Sequence, residues 1–427
     1  MSIDDVVQLE QPLKEGGIRS VNFFNGRLLA SRDLSREQAA RREADWRLGL
    51  ALGDGVAFGL EVRRDGGLSE EGAPVLRIGS GVAVNRKGQL LRLTADASVA
   101  LTRRFDAAAT DCVFADCRPI AAGRYVGGAG VYLLSVAPAE TVEGKAPTNG
   151  LDPFNVRCNT DATVESLRFR LHVVQQAEWA ALGVGEPWFR NALAYRCFGA
   201  DVQPGWPAGL LAAEPRREGL LGALRGTTLT DHDVPLALVH VTGSATVAFI
   251  DEWAVRRPLS RESASAWESL VDGRRPAVGQ AMLLQFQRQV MDAAPPGGDL
   301  SPVTARTHFR YLPPAGVIPV PEEGGAADAA ATRFFAGMTY RGPAFINAAR
   351  VEGLLRESLC YPPIDTQSGE MVWLYRVREN RAAIDFAAPG APRPGSYLVF
   401  ASGHLPYRAD AQLDLGYYDY ASYALAR

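Results

Sequence analysis

The side chains best suited to chemistry in this 427-residue chain are few and scattered. Its histidines are His172, His232, His240, His308 and His404, and its cysteines are Cys112, Cys117, Cys158, Cys197 and Cys360. Asp231-His232-Asp233 is the one cluster with metal-ligand chemistry. Adjacent side chains on extended backbone point alternately, so at most two of the three could face one ion. A polar loop entering a strand accounts for the run more simply. His240, between Val239 and Val241, reads as a hydrogen-bonded core histidine. Cys112 and Cys117 are five apart, and a zinc site would need a second pair, where Cys158 and Cys197 stand alone. Asp251-Glu252-Trp253 offers two acids and a ring that could stack on a sugar. A glycosidase needs its two carboxyl groups about 5–10 Å apart across one substrate, yet neighbouring acids on a strand face opposite sides. No G-x-S-x-G or H-E-x-x-H occurs. Gly144-Lys145 is followed by Ala146 and lacks the upstream glycine of a phosphate loop. Gly183-Val184-Gly185 has Trp188 where a dinucleotide fingerprint needs its third glycine. The expectation is therefore no catalytic residue, no metal and no cofactor.

Two other stretches suit binding. Val21-Asn22-Phe23-Phe24-Asn25-Gly26-Arg27-Leu28-Leu29 sets Asn-Gly, a strong turn signal, between apolar stretches. Phe23 and Phe24 would anchor in a partner's pocket, Asn25 and Gly26 would set the turn, and Arg27 would pair with a carboxylate. Gln38, shortly downstream, joins them as an assembly residue. At the far end Tyr417, Tyr418, Tyr420 and Tyr423 crowd into Gly416–Tyr423; tyrosine gives large contact area with a polar tip and is enriched at interfaces. Strand packing would explain them as well. Pro313-Pro314 and Pro319-Val320-Pro321 place stiff extended chain beside Phe309 and Tyr311, suited to lying across a neighbour or to a surface loop.

The elements that must carry these residues are mostly strands. The chain is 47% apolar and 22% charged, which excludes wholesale disorder. Its 45 basic and 48 acidic side chains give a formal charge of −3, unlike a nucleic-acid coat. Three bases are lysine, Lys14, Lys87 and Lys145; the rest are arginine, whose planar fork suits interfaces. The 43 glycines and 27 prolines lean toward turns and short strands. The amino terminus has no basic start and no apolar core, and no run of 18 apolar residues occurs. This predicts a protein made in the cytoplasm without a signal peptide, cytoplasmic or released within a particle, with reduced thiols and no membrane span.

Ser35-Arg36-Glu37-Gln38 has capping-box form and predicts a helix to about Leu52, weakly amphipathic and suited to lying across something. Strands are expected at Val56–Arg63, Val75–Ile78, Val82–Val84, Gln89–Leu93, Val131–Val136, Leu167–Val174, Leu236–Val241 and Thr246–Val255. In Leu167–Val174, Leu167, Phe169, Leu171 and Val173 alternate with Arg168, Arg170 and His172, and Leu236–Val241 is apolar on both faces. Helices are expected at Glu262–Val271 and Pro276–Met291, followed by a Pro-Pro-Gly-Gly linker. Strands return at His308–Leu312, Met371–Val377 and Tyr397–Ala401. The fold class is mainly β with a minor α part (α+β): two or three mostly antiparallel β-domains, an N-terminal helix and a small helical insert. The expected divisions are 1–52 (arm, hook and helix), 53–255 (β-rich, one domain or two split near 140–160), 256–298 (helical insert and linker) and 299–427 (C-terminal β-rich domain).

Residues 21–91 carry a longer pattern. It runs Asn22-Phe23-Phe24-Asn25-Gly26-Arg27-Leu28-Leu29, Asp33, Glu37-Gln38, then Gly53-x-Gly55-Val56-x-x-Gly59-Leu60-Glu61-Val62, Gly81-Val82-Ala83-Val84 and Gly88. This resembles the N-terminal region of proteins encoded with phage-tail-like contractile injection systems. It departs from them at Leu52, Asp54 and Ala39-Ala40, where that family tends to have His, Trp and an aromatic. The resemblance implies a structural or attachment role in a tail-like particle, as baseplate, fibre or outer decoration. The implied partners are further copies of itself, other particle subunits and, for a fibre, a cell-surface receptor. A glycan- or protein-recognition module is the alternative, and a polysaccharide depolymerase a more distant one.

Overall fold

In a computed structural model the chain is described over residues 15–68, 73–101, 129–148, 157–199, 219–242, 246–261, 274–293, 300, 302–320, 329, 332–378 and 396–405. Within these residues the fold is mainly β with a smaller helical part. Five sheets are present, and every strand pair but one is antiparallel.

The chain enters through helix α1 (Ser31–Leu52), then β1 (Gly55–Gly59), β2 (Val62–Leu68), β3 (Pro74–Ile78), β4 (Gly81–Val84), β5 (Leu90–Leu93) and β6 (Ala97–Ala100). These strands make two three-stranded sheets, β1-β4-β5 and β2-β3-β6. The expected single strand over Val56–Arg63 is therefore two. Leu60 sits at φ 59° between them, a conformation unfavourable for a side chain with a Cβ. Tertiary bonds hold it there: Leu60 donates its N–H to the Ser80 carbonyl at 3.2 Å, and Arg256 bonds the Gly59 carbonyl.

β7 (Gly130–Thr148) and β8 (Arg157–Val173) form a long hairpin, and β9 (Val234–Val241) and β10 (Val247–Asp251) complete the sheet β10-β9-β7-β8. β9 lies between β7 and β10, as a strand apolar on both faces should. The sheet has a core on each side: Val131, Leu133 and Leu238 face one, and Tyr132, Leu134, Val136 and Val239 face the other, shared with β1–β6. On β8, Leu167, Phe169 and Leu171 pack against that second core, but Val173 points outward and His172 is buried. The alternation fails at the strand's end because a polar cluster draws His172 inward.

Helix α2 (Gln176–Trp179) leads to α3 (Phe189–Phe198), and α4 (Gly219–Arg225) follows. α3 buries Phe189, Leu193, Tyr195, Cys197 and Phe198 on nearly its whole circumference. Helix α5 (Arg274–Ala293) includes the expected Pro276–Met291 and starts at Arg274. It joins two cores, with Ala281 and Met282 in the one beneath β7 and β9 and Phe286 and Val290 in the next. Glu262–Val271 and the Pro-Pro-Gly-Gly stretch lie outside the described residues.

The remaining part holds α6 (Ala305–His308), β11 (Tyr311–Leu312), β12 (Ala315–Val320), β13 (Thr339–Ile346), α7 (Ala348–Ser358), β14 (Ile364–Asp365), β15 (Met371–Val377) and β16 (Ser396–Ser402). The order β12-β16-β15-β13 makes one sheet, in which β13 and β15 run parallel. His308 ends a helical turn, so the expected strand over His308–Leu312 is only β11. Pro319 pairs with Tyr397 on β12, an edge strand, the place in a sheet where proline is tolerated. The proline-rich stretch thus completes its own sheet. Phe286, Phe309, Phe335 and Phe400 pack on one face, and Leu354 of α7, Trp373 and Tyr375 on the other.

Candidate functional site

The hook is built by a reverse turn. Arg27 donates its N–H to the Phe24 carbonyl at 3.2 Å, and Gly26, third in the turn, has φ +90°, a conformation glycine adopts at least cost. The Arg27 guanidinium then ties the loop together. It donates to the Asn22 carbonyl and to Asp33 Oδ1, each at 2.7 Å, and lies 5.9 Å from the centre of the Phe24 ring. Arg27 therefore finds its carboxylate inside the chain. Asp33 Oδ2 accepts the Ala30 N–H at 3.1 Å, and this bond, with that from Arg27, holds the Asp33 carboxyl below its usual range. The same bond explains why α1 begins at Ser31: Asp33 supplies the acceptor at the first turn that Ser35 was expected to supply. A second tie is the Val21 N–H to Glu37 Oε2 at 3.2 Å.

What these bonds do not do is bury the apolar side chains. Phe23 remains 53% exposed, Phe24 63% and Leu28 93%. Asn25, Gly26 and Gln38 are exposed as well. Of α1's 22 residues only Ala40 and Gly49 are buried. Gly49 rests on the β4–β5 turn, where a Cβ would collide with the Gly88 carbonyl, and a Cβ on Gly88 would collide with the Trp46 carbonyl. Nine of the seventeen large apolar side chains exposed among the described residues fall between Phe23 and Leu52: Leu29, Leu34, Trp46, Leu48, Leu50 and Leu52 complete the set. α1 also reaches the β7–β8 hairpin, with Arg42 Nη1 3.7 Å from Glu140 Oε1. Beyond Val136, among the described residues, β7 pairs only with β8, so the outer hairpin is there a two-stranded ribbon. Tyr417, Tyr418, Tyr420 and Tyr423 lie outside the described residues.

Cys112 and Cys117 lie outside the described residues, and Asp231, His232 and Asp233 each bond within the fold. Asp231 faces Lys87 at 3.3 Å, His232 Nδ1 meets Gln89 Oε1 at 2.8 Å, and Asp233 is buried; the three neighbours serve three different places. Asp233 accepts from Ser135 Oγ at 3.0 Å, from Arg170 Nη1 at 2.9 Å and from Thr230 Oγ1 at 2.6 Å. Ser135 Oγ also meets His172 Nε2 at 2.8 Å. This is a serine, a histidine and an aspartate in contact, which sequence spacing did not reveal; Ser135 and Arg170 meet only because β7 and β8 pair there. A nucleophilic relay needs the acid on one imidazole nitrogen and the hydroxyl on the other. Here Asp233 Oδ1 approaches the same Nε2, at 3.7 Å, and all three side chains are buried. Burial would raise the Asp233 pKa, but the neighbouring His172 and the donors Thr230 and Ser135 outweigh it and hold the carboxylate far below its ordinary range. The cluster is a buried anion with its donors.

Asp251 and Glu252 likewise diverge. Asp251 Oδ2 takes Arg190 Nε at 2.8 Å and Gln285 Nε2 at 3.0 Å. Glu252 Oε1 accepts the Val62 N–H, and burial raises its pKa despite that bond and the nearby Arg256. His240 lies edge-on to Phe189 and burial lowers its pKa. Cys197 is buried and Cys360 half-buried, both reduced. No group of three potential metal ligands occurs among the described residues, and no helix there is long and apolar enough to cross a membrane. A cleft of about 340 Å³ lies between the end of α1 and the β4–β5 turn, where Asp54 meets Arg86 at 3.7 Å and Arg274 at 3.5 Å.

No protein-family model matches the chain, and no curated protein matches it. Among solved structures, one titled as the crystal structure of TssK aligns with 12% identity over 39% of this chain and 36% of that one, at a TM-score of 0.19. The chain thus spans little more than a third of that protein's length. A superposition of that quality fixes neither fold nor function.

Proposed function

We propose that the protein is a non-enzymatic assembly subunit of a phage-tail-like particle, as baseplate, fibre or outer decoration, and that it docks through the hook and α1. The observation that carries this reading is the concentration of exposed apolar side chains between Phe23 and Leu52. A concentration of exposed apolar side chains in one region of a folded protein marks a contact with another molecule. A 22-residue helix with two buried positions also gains little from its own chain, since most helical stability in proteins comes from packing. The pattern of residues 21–91 supports the particle context, and the hook it contains is the part left uncovered.

The test is the native mass of the full chain by light scattering, compared with a Phe23→Ala, Phe24→Ala double variant. Both rings are exposed, so the fold should be unaffected. The wild type is expected above the 46.0 kDa of one chain, and the variant at a lower mass. An unchanged mass would remove the hook from the docking surface.

A further inference from the structure

The side of α1 left free by the hook and the β4–β5 turn presents Leu34, Gln38, Arg41, Asp45, Leu48 and Leu52, all exposed. Their spacings alternate between four and three residues, the two-position repeat along which paired helices meet. At 3.6 residues per turn they span about 80° of the helix surface. The row is self-complementary when read against its own reverse. About a centre at residue 43, Leu34 meets Leu52, Gln38 meets Leu48, and Arg41 meets Asp45.

We propose that α1 pairs with α1 of a second copy of this chain, antiparallel and about a two-fold axis that passes between Arg41 and Asp45 at the level of residue 43. This rests on the docking role given above to the hook and helix, and names the occupant of the helix. Two-fold contacts are isologous, so each unlike pair occurs twice: Arg41 faces Asp45 of the partner subunit, and Asp45 faces Arg41 of the partner subunit. Leucines close both ends of the contact. A parallel pairing would set Arg41 against Arg41 and Asp45 against Asp45, and like-charge contacts cost several kcal/mol. The charges therefore choose the orientation, while the leucines supply the buried area. A second copy also explains why the exposed row carries both signs at its centre: an acidic or basic partner would match only one of them.

The pairing is tested by charge exchange in the full chain. Arg41→Asp alone sets one aspartate against another across the contact, and Asp45→Arg alone sets arginine against arginine. Each is expected to weaken association on the order of a hundredfold, read as a fall in mass by light scattering on dilution. Combining Arg41→Asp with Asp45→Arg restores the unlike pairs and is expected to restore the wild-type mass. Both positions are exposed, so circular dichroism should be unchanged in all three. Orientation is read separately by mixing a Leu34→Cys chain with a Leu52→Cys chain and oxidising. A cross-link between positions 34 and 52 is expected, mapped by peptide mass; a 34–34 cross-link in the Leu34→Cys chain alone would overturn the antiparallel arrangement. If Arg41→Asp left the mass unchanged while Phe23→Ala with Phe24→Ala lowered it, the helix pairing would be wrong and docking by the hook would stand. A wild type that stays at the mass of one chain would remove both.

Discussion

Several donors converge on Asp233. Its side chain is fully buried, and Ser135, Arg170 and Thr230 all donate to it. Removing one partner of a buried charge cluster leaves the others uncompensated, so Asp233→Ala is expected to cost about 3 kcal/mol at pH 7. The pH dependence has a definite sign. The folded pKa lies well below the ordinary 3.8, so the carboxylate stabilises the protein fully above that range. The stabilisation drains away as pH falls from about 5 through 3.8 toward the folded value. The urea midpoint of the wild type should therefore begin to fall toward that of Asp233→Ala below about pH 5 and go on closing on it past about pH 3; a constant gap would contradict the assignment.

Glu252 carries the opposite sign. Burial raises its pKa above 4.5, so its charged form is disfavoured by folding at neutral pH and the penalty fades as pH falls through the folded pKa. Glu252→Gln keeps an oxygen for the Val62 N–H and removes the buried charge. Its melting temperature is expected to match or exceed the wild type at pH 7, with the difference gone below pH 4.5. A clear loss at pH 7 would mean that the attraction to Arg256 outweighs the desolvation.

At the level of elements, α1 is held to the body by close backbone contact. Alanine in place of a helix glycine normally stabilises by about 1 kcal/mol, and at Gly353 in α7, where nothing lies within 4 Å of an added methyl, Gly353→Ala should do so. At Gly49 the methyl would strike the Gly88 backbone, and rigid backbone cannot yield as a side-chain tip can. Gly49→Ala is expected to loosen α1 by about 1–3 kcal/mol, seen as faster proteolysis within 31–52 while the rest of the chain holds. Equal resistance in the two variants would mean that α1 does not lean on the β4–β5 turn.

The same elements show what sequence can convey. The strand character of β9 and the face of α5 were legible because each is covered by apolar contacts in its own period. α3 was not, since burial all round erases a one-sided stripe. The break at Leu60 was hidden because tertiary bonds impose its conformation. Asn25-Gly26 was legible as a turn from local chemistry alone, whereas Arg27's partner, Asp33, follows from how the hook folds back on the helix start. Ser135 and Arg170 beside Asp233 were not legible, because strand pairing across 35 positions of sequence brings the first two together.

For the whole molecule, interior and periphery differ in kind. α5 contributes to two cores at once. A polar row from Arg190 through Asp251 and Gln285 to Asn191, whose Oδ1 accepts the N–H groups of Arg310 and Tyr311, runs along the same boundary. The parts are thus fastened by both burial and hydrogen bonds. The hook and α1 lean on the body more lightly, through the Gly49–Gly88 contact and the Arg42–Glu140 pair, and they carry more than half of the large exposed apolar side chains among the described residues. On the docking proposed above, this region is completed by another subunit. Hydrogen–deuterium exchange of the full chain, followed over residues 31–52 at nanomolar and at high micromolar concentration, tests it most directly. Amides of α1 are expected to exchange fast when dilute and to become at least about tenfold protected when concentrated, while those of β9 stay slow throughout. Exchange in α1 that is the same at both concentrations would contradict the account.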